Sequence, residues 1–510
     1  MGPIFLLRSK SVSNQLAREI IQQAFRAQPG GAGQRLRLYL CVRQAILEQR
    51  LESGTVLPPT RVLAADLGLG RNTVVRAYDL LVAEGYLDSV VGSGTFVSDK
   101  IRDTLTPPHP RRMIGTRREG LSRRGNRIAA NASSSRVQAG AFIPGFPDVA
   151  HFPFATWRRL VAKHLRHEQR HLAQYGYGGY GPLKAVLADY LRVTRMMSCS
   201  PRQIMIVNGS HQALDLCARL LCDAGDTVWM EDPGYWGARN VLSASDLTVA
   251  PIRVDADGLA PTDDEWNGPP PRMVFVSPSS QYPTGAMLPL ERRLRLLDYA
   301  EKNRIWIIED DYDNEICNHS RPVASLFGLS TAQRVVYIGT FSKVLYPGLR
   351  LAYLVVPEDL VEAFSIGNAE LYREGRMLEQ AALAEFIEAG HFTGHIRRMR
   401  GIYQERRDYL RNFLEARLGG LIDTPDVLTG LHLPVRFVPP LDDATLASQA
   451  LLNGVVFRPL SMYAIHPDNH LCGMNLGFAA VPVDKMDAPA GTLVRLVEEA
   501  LKSEDGRARR

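Results

Sequence analysis

The sequence predicts a multidomain chain in which a small, mainly helical unit with a short β wing precedes a large α/β body. The 510 residues exceed one hydrophobic core and suffice for two or three domains. Charge is unevenly placed: residues 1–140 hold 21 Lys and Arg against 10 Asp and Glu, whereas the rest of the chain holds 39 against 44. Near residue 141 the pattern also changes, from helical spacing to short apolar runs separated by helix-length segments. A basic module joined to a mildly acidic body suggests a nucleic-acid-facing part and a part with another job; a solubilising basic tail has the same composition.

Residues 1–33 form an N-terminal extension. Leu16, Ile20, Ile21 and Phe25 give residues 14–26 an amphipathic helical pattern that stops before Pro29-Gly30-Gly31, as an accessory helix on a loose lead would. In the unit spanning 34–98, helices are expected at Leu36–Gln49, Thr60–Leu67 and Arg71–Glu84, the last two separated by Gly68-Leu69-Gly70. A short helix, a three-residue turn and a second helix let one helix brace a phosphate backbone while the next enters a major groove. Two strands flanking Gly92-Ser93-Gly94 follow as a wing.

Residues 99–140 are rich in Arg, Pro, Ser and Asn and read as a basic flexible linker. The pairs Arg111-Arg112, Arg117-Arg118 and Arg123-Arg124 suit phosphate contact or a solvated tether equally. From 141 to 510 the apolar runs Ile204–Val207, Thr227–Met230, Met273–Val276, Trp306–Ile308, Val335–Ile338 and Leu351–Val356 predict a parallel or mixed sheet covered by helices on both faces.

The six cysteines (Cys41, Cys199, Cys217, Cys222, Cys317, Cys472) form no CxxC pair and lie at no zinc-ligand spacing with histidines, so no metal site is expected. With neither a leader pattern nor a long uninterrupted apolar stretch, a cytoplasmic protein without membrane insertion is the expectation.

The runs Gly54-Thr55-Val56-Leu57-Pro58-Pro59-Thr60-Arg61, Arg71-Asn72-Thr73-Val74-Val75-Arg76-Ala77-Tyr78, Ala83-Glu84-Gly85-Tyr86-Leu87 and Gly92-Ser93-Gly94-Thr95-Phe96-Val97 resemble the winged helix of the GntR family. The resemblance implies double-stranded operator DNA as partner. Arg61 and Arg71 would meet phosphates or guanine edges and Thr73 a phosphate or thymine methyl, with Asn72 in the same DNA-facing run. Gly70 departs from the Ser or Thr that often caps the recognition helix, and Val90-Val91 from a basic wing.

The body's chemistry centres on Thr340-Phe341-Ser342-Lys343 with Arg350 downstream and Asp310-Asp311-Tyr312 upstream. A pyridoxal 5'-phosphate site needs an amine for a Schiff base, an anion at the ring nitrogen, a donor at the ring hydroxyl, a stacking face and a phosphate cup. Lys343, Asp310, Tyr312 and Tyr235 are candidates for the first four in that order. Ser210 and His211, at a turn entering a helix, with Thr340, Ser342 and Arg350, suit the cup.

In their order these segments resemble a fold type I aminotransferase, and Ser277-Pro278-Ser279-Ser280-Gln281-Tyr282-Pro283-Thr284-Gly285 resembles the loop beside the cofactor hydroxyl. A GntR winged helix fused to such a body resembles the MocR subfamily of bacterial transcription regulators. That resemblance implies a homodimer, a head-to-tail arrangement being one form, with Tyr175 reaching the partner's phosphate or else anchoring a glycine-rich loop. It also implies a regulator that senses pyridoxal phosphate or an amine or amino-acid effector through aldimine chemistry. The alternative is a working aminotransferase with a vestigial or tethering N-terminal unit, and slow half-transamination is compatible with the surviving lysine. Two departures bear on turnover: Ser280 replaces a common histidine, and Leu471-Cys472-Gly473 lacks the arginine with which aminotransferases grip a substrate carboxylate. Arg458 is either its substitute or a surface residue.

Overall fold

The computed structural model describes residues 4–27, 33–90, 94–99, 120–130, 139–166, 178–316, 324–373, 375–426 and 430–508. They fall into two units, Met1–Glu119 and Gly120–Arg510. In the first, helices α1 (Ile4–Ala27), α2 (Gln34–Leu47), α3 (Thr60–Leu67) and α4 (Arg71–Ala83) precede a hairpin of β1 (Leu87–Val90) and β2 (Gly94–Val97). Gly68 ends α3 in the left-handed region, φ 65°, so its N–H and that of Leu69 turn back onto the Ala65 and Ala64 carbonyls. Gly70 is extended and leads into α4 without a side-chain cap. Leu38, Leu63, Val74, Ala77, Leu81 and Leu87 are buried together and fix the helices against the wing.

Helix α1 packs into this unit. Ala17, Ile21 and Phe25, four residues apart, bury one face of α1 in that same core. Arg18 forks onto Asp66 of α3 through bonds of 2.8 and 2.7 Å, and the Arg37 guanidinium of α2 lies 4.3 Å above the Phe25 ring. The spacing in α1 signals a stripe to be buried. The surface that receives it is assembled from α2 and α3 and has no local signature in the sequence.

The second unit begins with α5 (Arg123–Ala130), α6 (Phe154–Arg166), α7 (Gly181–Arg195), α8 (Ser210–Leu221) and α9 (Trp236–Ala244). Helix α5 lies inside the stretch expected to be linker. Its Arg124 and Arg127 pair with Asp246, just beyond α9, so residues 120–130 go with the body and those arginines are engaged with a carboxylate. An Arg-rich stretch that reads as solvated chain is here the polar face of a docked helix.

The large sheet has the order β3-β10-β9-β8-β7-β4-β5-β6. Its strands are β3 (Ile204–Val207), β4 (Thr227–Asp232), β5 (Thr248–Asp255), β6 (Gly258–Leu259), β7 (Met273–Val276), β8 (Trp306–Asp311), β9 (Val335–Thr340) and β10 (Ala352–Val355). Strands β5, β4, β7, β8 and β9 run parallel, and β10 is antiparallel to both β3 and β9. Every residue of β3, β7, β8, β9 and β10 is buried, as expected where helices cover both faces. All six apolar runs are strands. Strand β5 gives no comparable signal, because Pro251 and Arg253 interrupt its apolar residues and most of it stays partly exposed near the sheet margin.

A four-stranded antiparallel sheet, β11 (Ile422–Asp423), β12 (His432–Phe437), β13 (Arg458–Pro459) and β14 (Gly473–Gly477), has the order β11-β12-β14-β13. The chain at 141–145 runs from this sheet to the strand ends of the large one: Ala141 bridges Val455, and the Phe142 carbonyl accepts from Gly477 N–H at 2.8 Å. Asp232, at the end of β4, ties the sheets from the other side by accepting from the N–H groups of Ile465 and His466 at 2.6 and 2.9 Å. Among the described residues, no helix is long and apolar enough to cross a membrane.

Candidate functional site

Parallel strands deliver their following residues to one edge of a sheet, which is where α/β folds place ligands. Here β3 leads into Gly209 and Ser210, β4 into Tyr235, β8 ends at Asp310-Asp311, and β9 ends at Thr340 before Lys343. These residues surround a cavity of about 660 Å³. Nine of the ten cofactor residues expected from the sequence line it: Ser210, His211, Tyr235, Asp310, Tyr312, Thr340, Ser342, Lys343 and Arg350. Tyr175 lies outside the described residues.

The Lys343 ammonium donates to the Gly145 carbonyl at 3.0 Å. Burial pushes its pKa down, against the opposing pull of Asp313 and Asp310, which raises the share of free amine. Asp310 is buried, and its Oδ1 has no hydrogen-bond partner. Burial first, and then Asp311, push this carboxyl up to about 7, while Lys343 opposes them. Asp313 is likewise pushed up to about 8 by burial, although it accepts from Gly430 N–H at 3.1 Å.

At the other end of the cavity, Gly209 precedes α8 with φ 105° and no side-chain cap, leaving first-turn N–H groups available to an anion. A Cβ at Gly209 would lie 3.2 Å from the Arg350 guanidinium carbon, so glycine is what lets that arginine fold over the helix start. Arg350 donates to the Asn208 carbonyl at 3.0 Å, and Thr340 Oγ1 accepts from Ser342 N–H at 3.2 Å.

The walls are aromatic and hydrogen-bonded. His211 Nε2 and Tyr235 Oη are 2.8 Å apart, and burial, with Arg350 and Lys343 nearby, holds that imidazole below its ordinary pKa. Tyr312 Oη lies 3.3 Å from Ser280 Oγ. Tyr282 and Tyr463 share a 2.9 Å hydroxyl bond, and Asn475 Nδ2 donates to Tyr463 at 3.2 Å. His432 Nε2 lies 3.3 Å from the Pro283 carbonyl, and burial pushes this ring down to about 4.

The site draws on residues absent from the sequence-based set. Gly145, Asp313 and His432 come from segments far apart in the chain, and only folding brings them to Lys343. Arg458, which the sequence leaves between two readings, is half-buried and lines the cavity. In the first unit, Arg61 on α3 and Arg71 and Asn72 at the start of α4 are exposed, and Thr73 is half-buried.

Two family models match the chain: bacterial regulatory proteins of the gntR family over residues 34–97, and aminotransferase class I and II over 147–469. The probable rhizopine catabolism regulatory protein MocR of Rhizobium meliloti is 42% identical over 450 residues, which cover 87% of this chain and 90% of that one. The chain belongs to the MocR subfamily of GntR-type transcription regulators. Another relative of this MocR-type chain, the HTH-type transcriptional regulator TauR of Rhodobacter capsulatus, is 35% identical over 77% of it and 82% of TauR. Among solved structures, LysN, the alpha-aminoadipate aminotransferase of Thermus thermophilus complexed with N-(5'-phosphopyridoxyl)-L-leucine, matches with a TM-score of 0.65 at 26% identity, over 71% of this chain and 93% of LysN.

A MocR-type chain thus joins a winged helix to the fold type I body of pyridoxal phosphate enzymes, and its cavity fits that cofactor. The partnerless buried Oδ1 of Asp310 suits a protonated ring nitrogen, and the uncapped α8 start under Arg350 suits a phosphate.

Proposed function

We propose that this chain is a cytoplasmic, homodimeric transcription regulator that binds operator DNA through its winged helix and uses pyridoxal 5'-phosphate to read an amine or amino-acid effector. When bound, the cofactor supplies an electrophilic carbon for which Lys343 and an effector amine compete. Lys343, depressed in pKa by burial, presents its amine from the Gly145 carbonyl. Asp310 would hold the cofactor's ring nitrogen, and Tyr312, whose hydroxyl lies 3.3 Å from Ser280 Oγ, would bond the ring hydroxyl. Tyr235, held by His211, covers a ring face. Ser210, His211, Thr340, Ser342 and Arg350 would hold the phosphate; head-to-tail is one form of the proposed dimer, with Tyr175 proposed either to reach the partner's phosphate or to anchor its own glycine-rich loop.

On the DNA side, Arg61 and Arg71 meet phosphates or guanine edges, Asn72 lies beside them, and Thr73 meets a phosphate or thymine methyl. Lys343 would be the base closest to an effector held at the cofactor, so slow half-transamination is compatible with this reading. Regulation needs only that effector binding favour one arrangement of the winged helices, and about 1 to 3 kcal/mol of coupling changes DNA affinity usefully.

The observation that carries this reading is the pairing, in one chain, of an exposed Arg71-Asn72 helix start with a cavity in which Asp310 keeps an unpaired buried oxygen near Lys343. Gel shift of the cofactor-loaded full chain on its own upstream DNA, with and without candidate amines, tests it. Specific retardation that an amine alters is expected. No binding at low salt overturns regulation, and steady turnover of an amino-acid and keto-acid pair at enzyme-like rates favours the aminotransferase instead.

A further inference from the structure

Resting on the DNA-binding part of the function proposed above, we infer that helix α6 of the body is a second DNA contact, against which the phosphate backbone of operator DNA lies outside the segment read by the winged helix. Helix α6 (Phe154–Arg166) contains Arg158, Arg159, Lys163, His164 and Arg166 and no Asp or Glu. Trp157 and Leu160 bury its inner face, where the Trp157 ring meets the Phe386 ring edge-on at 5.9 Å. Anchored on that side, the helix turns its opposite face outward. Ala155, Arg158, Arg159, Ala162, Lys163 and Arg166 line a shallow depression of about 580 Å³ there, and none of the six is acidic.

The positive charge of this face is only partly neutralised by its surroundings. Lys163 and His164 share Glu385. Arg158, Arg159 and Arg166 are exposed and have no carboxylate within ion-pair distance among the described residues. On other helices of the body exposed arginines are paired: Arg192 with Asp189, Arg219 with Asp215 and Arg495 with Glu499. Beyond residue 140 the chain holds 39 Lys and Arg against 44 Asp and Glu, so carboxylates are plentiful. Three guanidinium groups left without one on a single helix face mark a surface for an anionic partner.

Their spacing fits an extended polyanion better than a single small anion. Ala155, Arg159, Ala162 and Arg166 recur at four- and three-residue intervals, so they form one stripe about 16 Å long at about 1.5 Å per residue. Arg159 and Arg166 are thereby spread about 10 Å apart along the helix axis, where a small-anion cup would need convergence. The two alanines keep the stripe low between its cations and leave room for a broad backbone. A DNA duplex offers one charge per about 1.7 Å of its length, and guanidinium groups bind such phosphates without reading sequence. Helix α6 therefore adds affinity, while sequence choice stays with the winged helix.

The test is a gel shift of the cofactor-loaded full chain across a salt series, on a long upstream duplex and on one trimmed to the core that footprinting shows protected. Wild type should bind the long duplex about tenfold to a hundredfold more tightly at about 0.1 M salt. The triple variant Arg158→Gln, Arg159→Gln, Arg166→Gln should lose that advantage, and its slope of log affinity against log salt should be shallower by about 2 to 3, near 0.9 for each phosphate contact removed. Its sequence preference and cofactor absorbance should match wild type, and lysine at the three positions should restore most of the slope. Removing equal charge through Arg192→Gln, Arg219→Gln and Arg495→Gln should leave the slope on the long duplex unchanged. A glutamine variant of α6 with the wild-type slope, or an equal loss in the control variant, overturns the α6 contact while leaving operator binding by the winged helix intact. If wild type binds neither duplex at low salt, DNA binding itself fails and the α6 contact with it.

Discussion

Lys343 is held by Gly145: its ammonium lies 3.0 Å from a carbonyl whose residue has φ 77° and no side chain. A Cβ built at Gly145 would sit 2.7 Å from that nitrogen. The Lys343 amine is thus positioned by main chain from the segment that links the small sheet to the large one, and glycine leaves it room.

Asp310→Asn should separate folding from cofactor binding. Without cofactor, the variant exchanges a buried carboxyl that burial keeps protonated up to about pH 7 for an amide of the same size, so apo stability in denaturant titration should change by no more than about 1 kcal/mol. With cofactor, it loses a charge-assisted bond to the ring nitrogen, and retention of pyridoxal phosphate should weaken at least about tenfold by equilibrium dialysis.

The cofactor-free body should lose stability as pH rises from 6.5 to about 8. Burial raises Glu231 to about 8, Asp310 to about 7, Asp313 to about 8 and Glu315 to about 7. Because these carboxyls keep their protons in the folded state when the unfolded chain has lost them, their contribution is full below ordinary carboxylate pKa values and disappears through 7 to 8. The lowered histidines His211, His395 and His432 act in the opposite sense only below their ordinary 6.5, and the lowered Lys343 opposes from the alkaline side, below its ordinary 10.5, as one group against four carboxyls. Thermal melts at pH 6.5 and 8.5 check this, and a flat or rising profile contradicts it. Cofactor loading should flatten the slope, since Asp310 then faces a cation.

Ile21→Ala should destabilise the small unit by about 2 to 4 kcal/mol, the usual cost of deleting a fully buried aliphatic side chain. The cofactor's absorbance should be unchanged, because Ile21 packs within the unit that ends at Glu119. Separate unfolding transitions followed by circular dichroism and by cofactor absorbance distinguish the two units.

Arg71→Ala should abolish sequence preference in gel shifts while leaving cofactor binding intact, with about 1 to 3 kcal/mol of discrimination lost if the guanidinium reads a base pair. Equal specificity in the variant would refute the assignment of α4. For Arg61→Ala, uniformly weaker binding with a shallower salt dependence is expected if it meets phosphate.

Much of this was legible from local pattern. Helix α3 falls at Thr60–Leu67 as its spacing predicts, and Lys343, Asp310, Ser210 and Arg350 converge because the first three follow or end strands of one sheet and Arg350 leads into the antiparallel β10 of the same sheet. The remainder depends on partners distant in the chain. Gly145 is an ordinary loop glycine until the small sheet carries it to Lys343, and Asp313 reads as a loop residue until the Gly430 N–H meets it. Arg458 illustrates the same limit: a strand-end arginine looks like surface, and only register against Asn475 turns it inward.

The docking of α1 separates two boundaries that are easily equated. The stretch shared with gntR-family regulators begins at residue 34, yet residues of α1 from Ala17 onward are buried in the same core. A fragment cut at the family boundary would strip the cover from Leu38, Cys41 and Val42 on α2 and release Asp66 from its arginine. The stretch matched by the gntR-family model is thus shorter than the packed core that contains it.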